Sequence, residues 1–211
     1  MLVGERMSRP VISVAPETSI QEALALFRKE QIRRAPVLKA GRMVGIVSAT
    51  DLLHATASSI SSLSVWELNY LLSKVTVGRV MTKKVMTVAE DTPIEEAARV
   101  MADNKIGGLP VTRNGSVVGI ITETDLFKLF LEFMGAREKG TRVTALVDDK
   151  AGQLASITKA ISVAGGNFVA FGQFAGTDAS TRVVTLKVAG MKKDAVRKAL
   201  RPHVRRILDI R

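Results

Sequence analysis

The sequence contains no cysteine, so disulfides, thiolate nucleophiles and cysteine-ligated metals are excluded together. Only two histidines occur in 211 residues, His54 and His203, and their separation offers no metal-ligand spacing such as H-x-x-x-H. Aromatic residues make up 4% of the chain, with one Trp and one Tyr, so no aromatic interleaving of the kind that stacks on bases accompanies its basic residues. No apolar run approaches the roughly 18 residues that span a bilayer, and MLVGERMSRP has no apolar signal core. The expectation is a soluble cytoplasmic protein with no membrane partner. G-x-S-x-G, P-loop and dinucleotide fingerprints are absent and no carboxylate pair marks itself out, so the chain reads as a non-enzyme with no required cofactor and no metal.

What is present is a substantial core and an uneven charge. Hydrophobic residues make up 46% of the sequence, enough for one large domain or two modest ones. The net charge is +11, and most of it lies in the last third, where Lys192, Lys193, Arg197, Lys198, Arg201, Arg205 and Arg206 cluster. Such a run attracts nucleic acid or an acidic partner, but a solvated helix face explains it as well and is preferred, since no helix-turn-helix or zinc pattern accompanies it. Nucleic acid is therefore not the expected partner.

The organising feature is an internal repeat. Residues 7–52 recur at 81–126 with a constant offset of 74 and no gap, and 18 of the 46 pairs are identical, against about three by chance. Each copy opens with a short apolar stretch, Val11 to Val14 in the first. Thr18 then fits a helix N-cap ahead of a run with Ile20, Ala23, Leu24 and Phe27 on one face. Two β-branched runs, 35–39 and 43–48, flank the turn Ala40-Gly41, and a second helix is expected after Asp51. The unit is β-α-β-β-α. Between the copies, Trp66, Tyr70 and Leu71 are spaced like one helix face.

From Arg142 the pattern changes to a strand, a turn at 148–152, and a helix with Leu154, Ile157, Ala160, Ile161 and Ala164 inward. Two strands at 167–175 and 181–188, a helix at about 191–200 and a last strand at 204–210 complete a βαββαβ order, the ferredoxin-like one. The expected fold class is α+β, with units at 1–75, 76–137 and 140–211.

The two copies resemble a pair of cystathionine-β-synthase (CBS) domains, the Bateman module. The resemblance is carried by Ala35-Pro36-Val37 and Gly45-Ile46-Val47-Ser48-Ala49-Thr50-Asp51, by Leu109-Pro110-Val111 and Gly119-Ile120-Ile121-Thr122-Glu123-Thr124-Asp125, and by the opening Val80-Met81-Thr82. The tail resembles an ACT domain through 149–154 and Gly166-Asn167-Phe168, although Ala151 stands where proline is common there. A CBS pair followed by an ACT domain is similar in arrangement to the acetoin-utilisation accessory proteins.

In the resembled module, purine nucleotides occupy two clefts between the repeats. A carboxylate beyond a strand end can accept hydrogen bonds from both ribose hydroxyls, and Asp51 and Asp125 stand there. The hydroxyls of Ser48, Thr50, Thr122 and Thr124 can reach the phosphate oxygens of such a ligand, helped by the N-terminus of the helix expected there. The spacing Ser48-x-x-Asp51 equally fits simple helix capping, and the residues alone do not choose. The copies differ at Arg33-Arg34 against Gly107-Gly108, a pair that by resemblance faces the phosphates, so unequal clefts are expected. The stronger joins Arg33, Arg34, Ser48, Thr50 and Asp51 to Thr82 and Met86. The weaker joins Thr122, Thr124 and Asp125 to Ser8 and Ile12.

The resemblance thus implies a regulatory sensor of an adenine nucleotide (AMP, ADP or ATP) that acts on an unidentified protein target and forms a homodimer. For the tail it implies dimerisation or a second small ligand, an amino acid, held at an interface between two such units near Asp149, Gly152 and Asn167. The competing readings are a nucleic-acid-binding regulator using the basic tail and a purely structural dimerisation module.

Overall fold

The structure, a computed structural model, describes residues 1–57 and 74–211. They fall into two compact units, Met1–Leu126 and Phe127–Arg211. The helix face expected from Trp66, Tyr70 and Leu71 lies outside the described residues.

In the first unit the elements are α1 (Val3–Arg6), α2 (Ile20–Lys29), β1 (Arg34–Lys39), β2 (Arg42–Ser48), α3 (Ala49–Ala57), α4 (Val77–Val80), β3 (Val88–Ala89), α5 (Ile94–Asn104), β4 (Gly108–Arg113) and β5 (Ser116–Thr122). A helix α6 (Glu123–Phe133) follows. Of the expected opening strands, the first is reduced to a single parallel bridge, Val14 to Val37, and the second to β3. The hairpins β1–β2 and β4–β5 have two-residue turns whose central residues all have positive φ: Ala40 48° and Gly41 76°, Asn114 50° and Gly115 79°. This is the turn geometry that matches strand twist.

Two helix boundaries depart from expectation. Ser19, not Thr18, caps α2: its Oγ accepts from the Glu22 amide at 3.2 Å, and the Glu22 carboxylate accepts from the Ser19 amide at 2.9 Å, a reciprocal capping box. Thr18 instead accepts from the Ala15 amide at 3.2 Å, closing the preceding turn. The second helix of each repeat begins before its aspartate, at Ala49 and Glu123, so Asp51 and Asp125 lie in the first turn.

The repeats exchange their opening segments. Val77 in α4 is buried with Val14, Ile20, Ala23, Phe27, Ala35, Val37, Val47 and Leu52 in the first repeat's core. Its partner at the 74-residue offset, Val3 in α1, is anchored to the second repeat, where its amide donates to the Thr92 carbonyl at 2.9 Å. The segments after these helices cross likewise: Thr82 and Ile46 exchange two backbone hydrogen bonds of 2.9 Å each, and Ser8 and Ile120 exchange two of 2.9 and 3.2 Å. Gly45 and Gly119 permit the approach, because a methyl group at either would overlap Met81 or Met7 of the crossing segment.

The second unit adds β6 (Thr141–Asp148), α7 (Gln153–Val163), β7 (Asn167–Ala175), β8 (Thr181–Ala189), α8 (Lys193–Leu200), a 3₁₀ turn at Arg201–His203 and β9 (Arg206–Ile210). The four-stranded sheet has the order β7-β8-β6-β9, with every pairing antiparallel. Strict alternation in β6 sends Val143, Ala145 and Val147 into a core with Ile157, Ile161, Val184, Leu186, Val188, Val196 and Leu200. The inward face of α7 is rotated from the expected one. Leu154 is exposed, as is Ala164, while Gln153 is buried and donates from Nε2 to the His203 carbonyl at 2.5 Å. In α8 only Val196 and Leu200 are buried, so Lys193, Arg197 and Lys198 occupy its solvent side.

Candidate functional site

The exchange of opening segments makes a seam between the two repeats, and a cavity of about 610 Å³ lies along it. From the first repeat it is lined by Arg33, Arg34, Ile46, Ser48, Ala49, Thr50 and Asp51. The crossing segment supplies Thr82, Lys84, Val85 and Met86, and the end of α5 with the start of β4 supplies 104–108. All seven residues expected to share the stronger cleft meet here. The crossover explains why: Thr82 and Met86 follow α4, which packs on the first repeat.

Sequence reasoning missed Lys84, Asn104 and Lys105. Lys84 lies two residues beyond Thr82 on the crossing segment. Lys105 ends α5 in the left-handed conformation, φ 54°, as Gln31 does at the same place in the first repeat, φ 53°. With them, four cations (Arg33, Arg34, Lys84 and Lys105) line the cavity with one carboxylate, Asp51, and the Glu123 carboxylate lies beside Arg34. A cleft of that balance attracts anions.

The aspartates do cap their helices. Asp51 Oδ2 accepts from the Ser48 amide at 2.8 Å and its hydroxyl at 2.7 Å, and the Asp51 amide returns a bond to Ser48 Oγ at 3.2 Å. Asp125 Oδ2 accepts from the Thr122 amide at 2.9 Å and its hydroxyl at 2.7 Å. Capping therefore uses one oxygen of each carboxylate. The other oxygens differ: Asp125 is buried, with Ser8 Oγ at 3.4 Å from its Oδ1, whereas Asp51 is half-buried on the cavity wall. Ser8, Thr122 and Asp125 thus meet at the second seam, and Ile12 is half-buried on the same opening segment.

The two arginines do not stand free in the cleft. Arg33 donates from Nη2 to Thr124 Oγ1 at 2.9 Å, which draws Thr124 toward the first cleft's arginine pair. Arg34 lies over Gly107 and Gly108, and a methyl group at Gly107 would overlap its guanidinium and the Glu123 carboxylate. Gly-Gly in the second repeat is thus the bed on which Arg34 lies. Burial draws the Arg34 guanidinium below its ordinary pKa; the Glu123 carboxylate opposes the shift and Arg33 adds to it.

Within a single copy of the second unit, the three residues expected at an interface between two such units do not share one site. Gly152 lies at the N-terminus of α7 and Asn167 just beyond its C-terminus, and the 11 residues of the helix separate them by roughly 16 Å along its axis. Asp149 turns away to an ion pair with Arg182, Nη2 to Oδ2 2.8 Å. Gly152 instead borders a cavity of about 410 Å³ with Asp148, Lys150, Gln153 and residues 202–205. Among the described residues no cluster of metal-ligating side chains occurs, and no helix is long and apolar enough to cross a membrane.

Known proteins resemble this chain in its paired repeats. An uncharacterized protein of Methanocaldococcus jannaschii is 32% identical over 157 residues, covering 62% of this chain and 92% of its own length. The CBS domain pair of the protein MJ0100, solved in complex with 5′-methylthioadenosine and S-adenosyl-L-methionine, matches with 31% identity and a TM-score of 0.54, covering 65% of this chain and 98% of that one. A Vibrio cholerae protein assigned to acetoin utilization matches with 28% identity and a TM-score of 0.55, covering 66% and 98%. Other relatives are longer: the chain spans 47% of a second M. jannaschii protein and 23% of that organism's L-aspartate semialdehyde sulfurtransferase. The CBS domain model itself matches residues 3–58 and 77–132, more than half of the chain and both copies of the repeat, so this chain belongs to the CBS-domain family as a tandem pair.

Proposed function

We propose that the chain is a regulatory sensor that binds an adenine nucleotide in the cleft of Arg33, Arg34, Ser48, Thr50, Asp51, Thr82 and Met86, and that it is not itself a catalyst. The observation that carries this reading is the convergence of one ribose-competent carboxylate, Asp51, with four cations in a single cavity at the seam of the repeats. Asp51 caps α3 through Oδ2, which leaves Oδ1 for ribose hydroxyls. The adenosine moiety common to both ligands of the MJ0100 pair supports an adenosine ligand here. Neither of those compounds carries a phosphate. The four cations favour one that does, through charge-assisted and forked hydrogen bonds. A ligand that bridges two repeats biases their relative arrangement, which is how occupancy reaches a partner protein. Calorimetry with AMP, ADP, ATP and 5′-methylthioadenosine tests this: the phosphorylated ligands are expected to bind, and failure of all three overturns the reading.

The second unit reads as an ACT-like assembly module, supported by its βαββαβ order. A homodimer is supported by the exposed apolar side chains of α6, where Phe127, Phe130 and Phe133 are 68%, 54% and 58% accessible. The basic residues of α8 form the outward side of an amphipathic helix, which accounts for them without nucleic acid.

A further inference from the structure

Positions 33 and 107 are equivalent in the repeat and hold an arginine and a glycine, so a contact made by the Arg33 side chain has no mirror image. Arg33 lines the first cavity, yet its Nη2 donates to Thr124 Oγ1 at 2.9 Å. Thr124 does not line that cavity. It is the counterpart of Thr50 and precedes Asp125, so it belongs to the helix start of the opposite cleft. One hydrogen bond therefore ties an arginine lining the first cleft to a hydroxyl at the helix start of the second repeat.

We propose that Thr124 sets the affinity of the first cleft from outside it, by competing with the ligand for Arg33. The inference rests on the nucleotide reading above. Arg33 is held toward Thr124 until a phosphate draws it into the cavity, and the Thr124 bond is then given up. A ligand in the second cleft that takes up the Thr124 hydroxyl removes the competitor, so the two clefts bind cooperatively. By linkage the effect is equal in both directions. Gly107 has no side chain with which to restrain Thr50, so no mirror-image bond offsets this one. Arg34 stands apart from the link, since its guanidinium lies over Gly107 beside Glu123.

The test is calorimetry with ADP on the full chain and on Thr124→Val and Thr124→Ser. Thr124 is exposed, so both variants are expected to fold, and their melting curves verify it. Thr124→Val is expected to bind ADP at the tighter site about threefold to tenfold more strongly, the size of one net hydrogen bond. Thr124→Ser keeps the hydroxyl that bonds Arg33 and is expected to bind ADP at the tighter site with less than half of the gain seen in Thr124→Val. An unchanged or weakened tighter site in Thr124→Val overturns the proposal, as does equal tightening in Thr124→Ser. A parent chain that binds none of AMP, ADP and ATP overturns the nucleotide reading itself, and this inference with it.

Discussion

Asp51 and Ser48 satisfy each other through one oxygen only: Oδ2 accepts both the amide and the hydroxyl of Ser48, at 2.8 and 2.7 Å. The cap and the ligand contact therefore use different atoms of one carboxylate, and mutation can separate them. Ser48→Ala is expected to lower stability by about 0.5–2 kcal/mol, the range for losing a cap, with a smaller effect on nucleotide affinity. Asp51→Ala is expected to lose the cap and in addition about 1.5–3 kcal/mol of binding. Thermal melts and titration calorimetry on the two variants check this, and equal loss of affinity in both would reduce Asp51 to a cap.

Arg34 needs the absence of a side chain at position 107. Gly107→Ala is expected to displace the guanidinium and weaken nucleotide binding nearly as much as Arg34→Ala, about 1.5–3 kcal/mol, although Gly107 offers no side chain to any ligand. The double variant should then be little worse than either single one, since both remove the same contact. Additive losses in calorimetry would show that Gly107 acts by another route.

The cations of the first cleft give affinity a charge order. Binding is expected to strengthen from adenosine through AMP to ADP and to fall with added salt, because Arg33, Arg34, Lys84 and Lys105 outnumber Asp51. Lys84→Ala and Lys105→Ala should each flatten both trends. Affinities insensitive to phosphate number would place the charged end of the ligand outside this cavity.

Ala40 occupies a left-handed position, φ 48°, that Asn114 fills in the other repeat at φ 50°. A non-glycine residue with a β-carbon loses about 1–2 kcal/mol there, and asparagine tolerates the region better. Ala40→Asn is expected to raise the melting temperature by a few degrees. A lowered value would mean that the turn carries no such strain.

Acid should weaken the second unit through Asp148, Asp178 and Asp209. Hydrogen bonds from Lys150 and then Arg205 hold Asp148 below its ordinary pKa; Ser180 does so for Asp178, and Arg211 for Asp209. A carboxylate depressed in the folded state contributes its full stability above the unfolded value, near pH 4, and loses it as pH falls through the folded value. The difference in melting temperature between the parent chain and Asp209→Asn is thus expected to be constant at neutral pH and to shrink below about pH 4. A difference unchanged at pH 3 would contradict it.

Much of this protein is written locally. The 74-residue repeat, the turns at Ala40-Gly41 and Asn114-Gly115, and the alternation of β6 are short-range patterns, and backbone sterics and period-two burial translate them directly. The pairing of Asp51 with Thr82 and Met86 was available only through resemblance, since no local signal says that an opening strand crosses to the other copy. Tertiary structure alone decided what the arginines touch. Thr124 is 91 residues from Arg33, and Arg34 rests on Gly107 because that residue lacks a side chain. It also decided that Gly152 and Asn167 lie at opposite ends of α7, where two motifs close in sequence are held apart by the rise of the helix between them.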